Sequence, residues 1–293
     1  MKLATVIHNE ETLPALVSQD GQAVLPLKSH AGIEFPATIL GCIEQGEVFK
    51  EKVKSFAISE EAKALWIPVS DVKLLAPIPR PAKNVMCIGK NYEEHAIEMG
   101  SAEDIPEHVM VFTKPPTAVS GPNTEIPSHS DVTEQLDYEG ELAVIIGKKG
   151  KSISREDALE YVFGYTILND VTARDLQKRH KQYFLGKGLD GSCPMGPWIV
   201  TKDEIPDHGN LQIQTKVNGE VRQDSNTKHL IFPIENLIED LSKGMTLEPG
   251  DIIATGTPAG VGKGFKPPKF LHPGDTVEIE IQGIGVLKNI IAP

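Results

Sequence analysis

QLDYEGELAVIIG, residues 135–147, combines two features that rarely share one strand. From Leu142 to Ile146 it is Leu-Ala-Val-Ile-Ile, a run suited to burial on both faces of a sheet. Just before that run stand Asp137, Glu139 and Glu141, spaced by two. Side chains alternate across a strand, so this spacing predicts three carboxylates on one face. A strand that enters a core with charge on one side needs something there to receive the charge.

The chain carries its own control. VEIEI, residues 277–281, also has two glutamates at spacing two, Glu278 and Glu280, with Val277, Ile279 and Ile281 on the opposite face. That pattern is a half-buried strand with its charges in water, the ordinary reading of E-x-E. The first pair differs because a continuous apolar run follows it. Its intervening residue, Gly140, also lets another group approach the backbone. Two carboxylates about 5 Å apart repel by roughly 3 kcal/mol at an effective dielectric of 20. Buried together, they call for a proton or a cation. Asp170, at the end of the apolar stretch GYTILND, is placed to be a third ligand, although it could equally be the cap of the helix that follows. Three carboxylates with no cysteine nearby favour a hard ion, Mg²⁺ or Mn²⁺.

Bulk properties narrow the function classes. The chain has 293 residues and a net charge of −12, with 40% hydrophobic and 24% charged residues. The acidity argues against nucleic acid and anionic membrane surfaces as partners. No apolar run approaches the roughly 18 residues needed to span a bilayer. Cys42, Cys87 and Cys193 are widely separated and form no C-x-x-C pair, so neither a zinc site nor a disulfide framework is indicated. A cytoplasmic protein is expected.

Short alternating runs in the first 75 residues, with a helical patch near EEAKAL, predict a small β-rich N-terminal domain. LAPIPRPAKN, with prolines at 77, 79 and 81, marks a stiff boundary to a catalytic domain over 76–293. There NVMCIGKNY predicts a strand leading into the short helix YEEHAIEM, and residues 101–120 read as an irregular loop or lid. Ser154 with Asp157 is expected to cap a helix over REDALEYV. Asn218-Gly219 predicts a hairpin, IENLIEDLSKG an amphipathic helix, and the last segment a closing hairpin. Strands dominate, so the fold class is α+β and β-rich.

Other constellations carry weaker signals. His95 and Glu98 lie three apart on the short helix and share a face, where a carboxylate-held histidine can act as a base. An incidental pair on an exposed helix is the plainer reading of that spacing alone. Lys187, flanked by glycines in GKGLDGSCPMGP, suits an anionic ligand or simply a turn. GTPAGVGKG, residues 256–264, fails as a phosphate-binding loop. It has one residue too many between Gly256 and Gly262, and Gly264 stands where Ser or Thr is required. The basic run Arg179–Lys181 reads as a solvated helix face.

Taken in order, IGKNYEEHAIEMG, LDYEGELAVIIG, LNDVTARDLQ, GKGLDGSCPMGP, KVNGEVRQ and GDIIATGTPAGVG resemble the fumarylacetoacetate hydrolase family over about residues 72–293. The N-terminal part is similar to the accessory domain of longer bacterial members. The resemblance implies a mixed β-sandwich roll, a homodimer, and Mg²⁺ or Mn²⁺ held by Glu139, Glu141 and Asp170. It further implies catalytic roles for His95, Glu98 and Lys187, and substrate contacts from Gln177, Lys187, Thr257 and Lys90. The implied chemistry is C–C cleavage beta to a small 2-oxo acid, foremost decarboxylation of oxaloacetate. Alternatives are acylpyruvate hydrolysis, isomerase or hydratase action on a related dienoic acid, and metabolite sensing without catalysis.

Overall fold

A computed structural model describes residues 1–29 and 32–293. The N-terminal part contains strands β1 (Lys2–His8), β2 (Glu11–Val17) and β3 (Ala23–Pro26), helices α1 (Ile39–Ala57) and α2 (Glu60–Lys63), and strands β4 (Ile67–Pro68) and β5 (Lys73–Leu75). The next part has β6 (Val85–Gly89), α3 (Glu93–Met99), β7 (Met110–Lys114), β8 (Val119–Ser120) and β9 (Glu125–Ile126). The central part has β10 (Leu136–Asp137), β11 (Gly140–Ile146), β12 (Val162–Asn169), β13 (Thr172–Ala173), α4 (Arg174–His180) and α5 (Phe184–Lys187). The remainder is β14 (Cys193–Thr201), β15 (Gln212–Val217), β16 (Glu220–Asn226), α6 (Ile234–Gly244), β17 (Ile252–Ala254), β18 (Thr276–Ile281) and β19 (Gly285–Ile291).

The result is a mixed, mainly β architecture of two large packed sheets, with a two-stranded ladder of β10 and β13 beside them. The larger runs β4-β3-β2-β1-β14-β12-β11-β17-β6-β7, and the second runs β16-β15-β18-β19-β9. β11 lies in the middle of the larger sheet, antiparallel to both β12 and β17. One of its faces, Leu142, Val144 and Ile146, packs with Ile213, Val277, Ile279 and Leu287 of the second sheet. The other face, Ala143 and Ile145, packs with Ile43, Phe49 and Val53 of α1. Both faces are therefore covered, which is why the run has no polar alternation. Burial of each of the larger apolar side chains contributes about 1.5–3 kcal/mol.

Several expectations are corrected. Asp137, Glu139 and Glu141 do not share one strand face: the chain leaves β10 after Asp137 and enters β11 only at Gly140, so Tyr138 and Glu139 lie in a break. The segment 101–120 contains β7, an edge strand paired antiparallel with β6. REDALEYV forms only a 3₁₀ turn over Ala158–Tyr161, although Ser154 and Asp157 do bond to each other. The 19-residue α1 has no strong periodic signature, because glycines interrupt it and Gly46 kinks it at φ 55°. The N-terminal strands also join the larger sheet directly, with Lys2 and Leu3 of β1 paired to Val200 and Ile199 of β14. Leu3, Leu25 and Phe49 share a core cluster with Val85 and Cys87 across the proline crossing.

The control pair behaves as water-facing charge. On β18, Val277, Ile279 and Ile281 are buried, Glu280 is exposed and Glu278 pairs with Lys288 at 2.7 Å. The hairpin at Asn218-Gly219 has both residues at positive φ, 51° and 81°, as the two-residue turn requires.

Candidate active site

β11 begins with a close approach that only glycine allows. A methyl group on Gly140 would overlap the Thr215 hydroxyl of the second sheet. Gln223 accepts from the Gly140 N–H at 3.0 Å and donates to Thr257 Oγ1 at 2.7 Å, while Thr257 donates to the Gly140 carbonyl at 2.9 Å. The backbone between the two glutamates is thus held from both sides. On the neighbouring strand, the Asp170 N–H donates to the Glu139 carbonyl at 2.9 Å, and the Glu139 N–H donates to Asn169 Oδ1 at 3.1 Å. These bonds place Glu139, Glu141 and Asp170 so that one carboxylate oxygen from each lies within 4.8 Å of the others.

Three buried cations surround the carboxylates. Lys187 Nζ bridges Glu139 Oε2 at 2.8 Å and Asp170 Oδ2 at 2.6 Å. Arg174 bonds Asp137 through Nε at 2.8 Å and Glu139 through Nη1 at 2.7 Å. Lys114 Nζ donates to Asp170 Oδ1 at 2.7 Å. Asp137 also accepts from the N–H groups of Gly262 and Lys263. It is therefore an anchor for Arg174 and the glycine turn, not a member of the ligand group.

The cage contains four buried carboxylates, Asp137, Glu139, Glu141 and Asp170, against three cations, Lys114, Arg174 and Lys187. Glu141 is the member without an ion pair among the described residues, and its Oε2 accepts only the Gly256 N–H, at 2.7 Å. Burial, reinforced by Asp170 and Glu139, pushes its carboxyl well above the usual range. Burial opposes ionisation of Glu139 too, but Lys187 and Arg174 override it and hold that carboxyl well below the usual range. Lys187 is likewise disfavoured by burial, and the Asp170 and Glu139 charges more than compensate. An all-oxygen donor set with a surplus of negative charge fits a hard divalent cation.

A raised carboxyl pKa has a direct consequence. Below that pKa the metal-free cage holds a proton that a cation must displace, so Mn²⁺ affinity should rise with pH and level off once Glu141 is ionised. Calorimetry in buffers of different ionisation enthalpy should show proton release on binding; an enthalpy independent of buffer would contradict it.

A cavity of about 250 Å³ opens onto the carboxylates and is lined by His95, Glu139, Glu141, Arg174, Lys187 and Thr257, among others. His95 is buried on α3, with Nδ1 3.3 Å from Glu98 Oε2, and Glu98 Oε1 accepts from the Gly260 N–H at 2.9 Å. The entry to α3 is fixed by Asn91, which donates to the carbonyls of Thr255 and Phe232. Gln177 lines the cavity and accepts from Arg174 Nη1 at 3.3 Å. Lys90 also lines it and pairs with Asp104 at 2.9 Å. Thr257 lines it as well, but its hydroxyl proton is committed to the Gly140 carbonyl.

Of the residues assigned from sequence, Lys90, His95, Glu139, Glu141, Gln177, Lys187 and Thr257 line the cavity, while Glu98 and Asp170 lie behind it in contact with His95 and Lys187. Sequence reading missed Lys114, Arg174 and Gln223. Arg174 and Gln223 lie inside quoted motifs, but nothing in their spacing distinguishes them from surface residues; Lys114 lies in the segment read as a loop. Arg174 Nη2 is buried without a hydrogen-bond partner, a donor that an anionic ligand can satisfy.

Comparison with known proteins identifies the family. The profile of the fumarylacetoacetate (FAA) hydrolase C-terminal family matches residues 84–292. The chain is 58% identical over 261 residues to oxaloacetate tautomerase YisK of Bacillus subtilis (strain 168), covering 87% of each chain. It superposes on fumarylacetoacetate hydrolase (EaFAH) from psychrophilic Exiguobacterium antarcticum with TM-score 0.84 and 42% identity, covering 100% of this chain and 99% of that one. A maleylpyruvate hydrolase from Sphingobium sp. SYK-6, solved with manganese(II) and pyruvate, gives TM-score 0.80 and 30% identity over 100% and 99% of the two chains. No helix among the described residues is long and apolar enough to cross a membrane. The chain belongs to the fumarylacetoacetate hydrolase family of enzymes.

Proposed function

We propose that the chain interconverts the enol and keto forms of oxaloacetate, using Mg²⁺ or Mn²⁺ held by Glu139, Glu141 and Asp170. The observation that carries this reading is the shared cavity: buried cations on one wall, and on α3 a histidine held by a carboxylate. Tautomerisation removes a proton from the enol oxygen at C2 and adds one at C3. His95, oriented by Glu98, is the group placed to carry that proton. Lys187 and Arg174 stabilise negative charge as it develops on the C2 oxygen. The divalent ion, when bound, adds Lewis-acid polarisation of the C2 carbonyl. The similarity to an oxaloacetate tautomerase supports this substrate and this reaction.

Decarboxylation, the outcome expected from sequence, starts from the keto form, breaks C3–C4 without a base and leaves the enolate of pyruvate, which takes up a proton at C3 only after CO₂ has gone. One assay separates the two. Enol oxaloacetate is mixed with the Mn²⁺-loaded chain, and loss of the enol's ultraviolet absorbance is followed beside pyruvate release. Enol loss should be strongly accelerated and should precede pyruvate. Pyruvate appearing in step with enol loss would favour the decarboxylase reading, and no acceleration of either would reject both.

A further inference from the structure

Lys114 is the last residue of the edge strand β7, paired with Val85 and followed by Pro115. Its side chain is fully buried. It does not line the cavity. Its ammonium donates to Asp170 Oδ1 at 2.7 Å and to the Val171 carbonyl at 2.9 Å. Asp170 Oδ2 belongs to the other side, where Lys187 meets it at 2.6 Å. The two oxygens of Asp170 are therefore divided: one sealed behind the cage by Lys114, one presented to it.

We infer that Lys114 is a positioning residue with a second, electrostatic role: it commits Asp170 to a single ligand oxygen and fixes the charge that the loaded cage shows to an anion. With four carboxylates and three cations the cage is one charge negative when all are ionised, and a divalent ion makes it one charge positive. Without Lys114 the loaded cage would be neutral. The same lysine therefore weakens the hold on the cation and strengthens the hold on the anionic substrate that follows.

These opposite signs are the test. Lys114→Gln keeps a donor for Asp170 but loses the charge; Lys114→Met loses both. Mn²⁺ binding to each chain is measured by calorimetry, then oxalate binding at saturating Mn²⁺. In Lys114→Gln Mn²⁺ should bind tighter by about tenfold or more, and oxalate weaker by about tenfold or more, because a buried unit charge a few ångströms away acts on both ions; Lys114→Met, which also frees Asp170, should lose oxalate affinity alike but gain less for Mn²⁺. If both ligands bind more weakly, Lys114 only holds Asp170 in place and the charge role is wrong. Wild-type affinities in Lys114→Gln would overturn it equally. Failure of both variants to fold would assign Lys114 to stability alone, which also overturns it. The inference rests on the metal reading of the cage. Absence of Mn²⁺ binding to the wild-type chain removes that reading, whereas Mn²⁺ binding with unchanged variants removes only this one.

Discussion

Glu141→Gln should abolish Mn²⁺ binding and lower turnover by about 10³-fold or more, while Glu278→Gln leaves both unchanged. The size follows from the role proposed for the cation, since a Lewis acid worth several kcal/mol corresponds to several factors of ten at 1.36 kcal/mol each. The contrast follows from position. Glu141 is buried at the start of β11 with only the Gly256 N–H on its Oε2, whereas Glu278 sits on the outer face of β18 beside Lys288. Stability separates the two members of the cage pair. Glu139 balances both Lys187 and Arg174, so Glu139→Gln leaves buried cations short of a counter-charge and should cost about 3–5 kcal/mol. Glu141 has no ion pair among the described residues, and burial beside Asp170 and Glu139 already favours its neutral form, which the amide reproduces, so Glu141→Gln should melt no lower than the metal-free parent. Thermal unfolding with chelator and Mn²⁺ calorimetry provide the two readings. Undiminished Mn²⁺ binding in either variant would end the metal-site reading.

Much of this site is legible in the sequence because burial changes what a pattern means. VEIEI and YEGEL have the same spacing of glutamates, yet Ile279 and Ile281 alternate with charge while Leu142–Ile146 do not alternate at all. That difference marks a strand covered on both faces, and a carboxylate at its start must be compensated. What stayed hidden is long-range pairing. Lys114 and Asp170 are 56 residues apart, and Gln223 reaches Gly140 across 83. Neither residue has a local periodic signal, because each acts through one contact and not through a face. Asp137 was misassigned for the opposite reason. Its spacing matched the glutamates, but the extended chain broke at Tyr138–Glu139, and alternation applies only within a continuous strand. The helix α1 was missed because Gly41 and Gly46 dilute a pattern that tertiary packing on β11 stabilises.

The second large effect divides proton transfer from charge stabilisation. Lys187→Met should depress every reaction of oxaloacetate at this site by about 10²–10³, the usual loss when one donor to a developing oxyanion is removed. Lys187 Nζ lies in the cage itself, within 2.8 Å of both Glu139 and Asp170, so any enolate formed there meets it. His95→Ala should act selectively. Tautomerisation needs a proton carried between C3 and the C2 oxygen, and loss of a positioned acid–base group costs about 10²–10⁴. Cleavage of C3–C4 releases CO₂ without that transfer, so any decarboxylation the chain performs should persist at a measurable rate. Glu98→Gln tests the support: it keeps an acceptor for the Gly260 N–H and so preserves that anchor of α3, but removes the charge beside His95. Tautomerisation should fall in this variant by less than in His95→Ala, because the imidazole stays in place and loses only the carboxylate beside it. Initial rates of enol loss from enol oxaloacetate and of pyruvate release from keto oxaloacetate, each at saturating Mn²⁺, compare the variants directly. Equal loss of both reactions in His95→Ala would show that α3 gates the whole cavity, and the proton-carrying role of His95 would have to be abandoned.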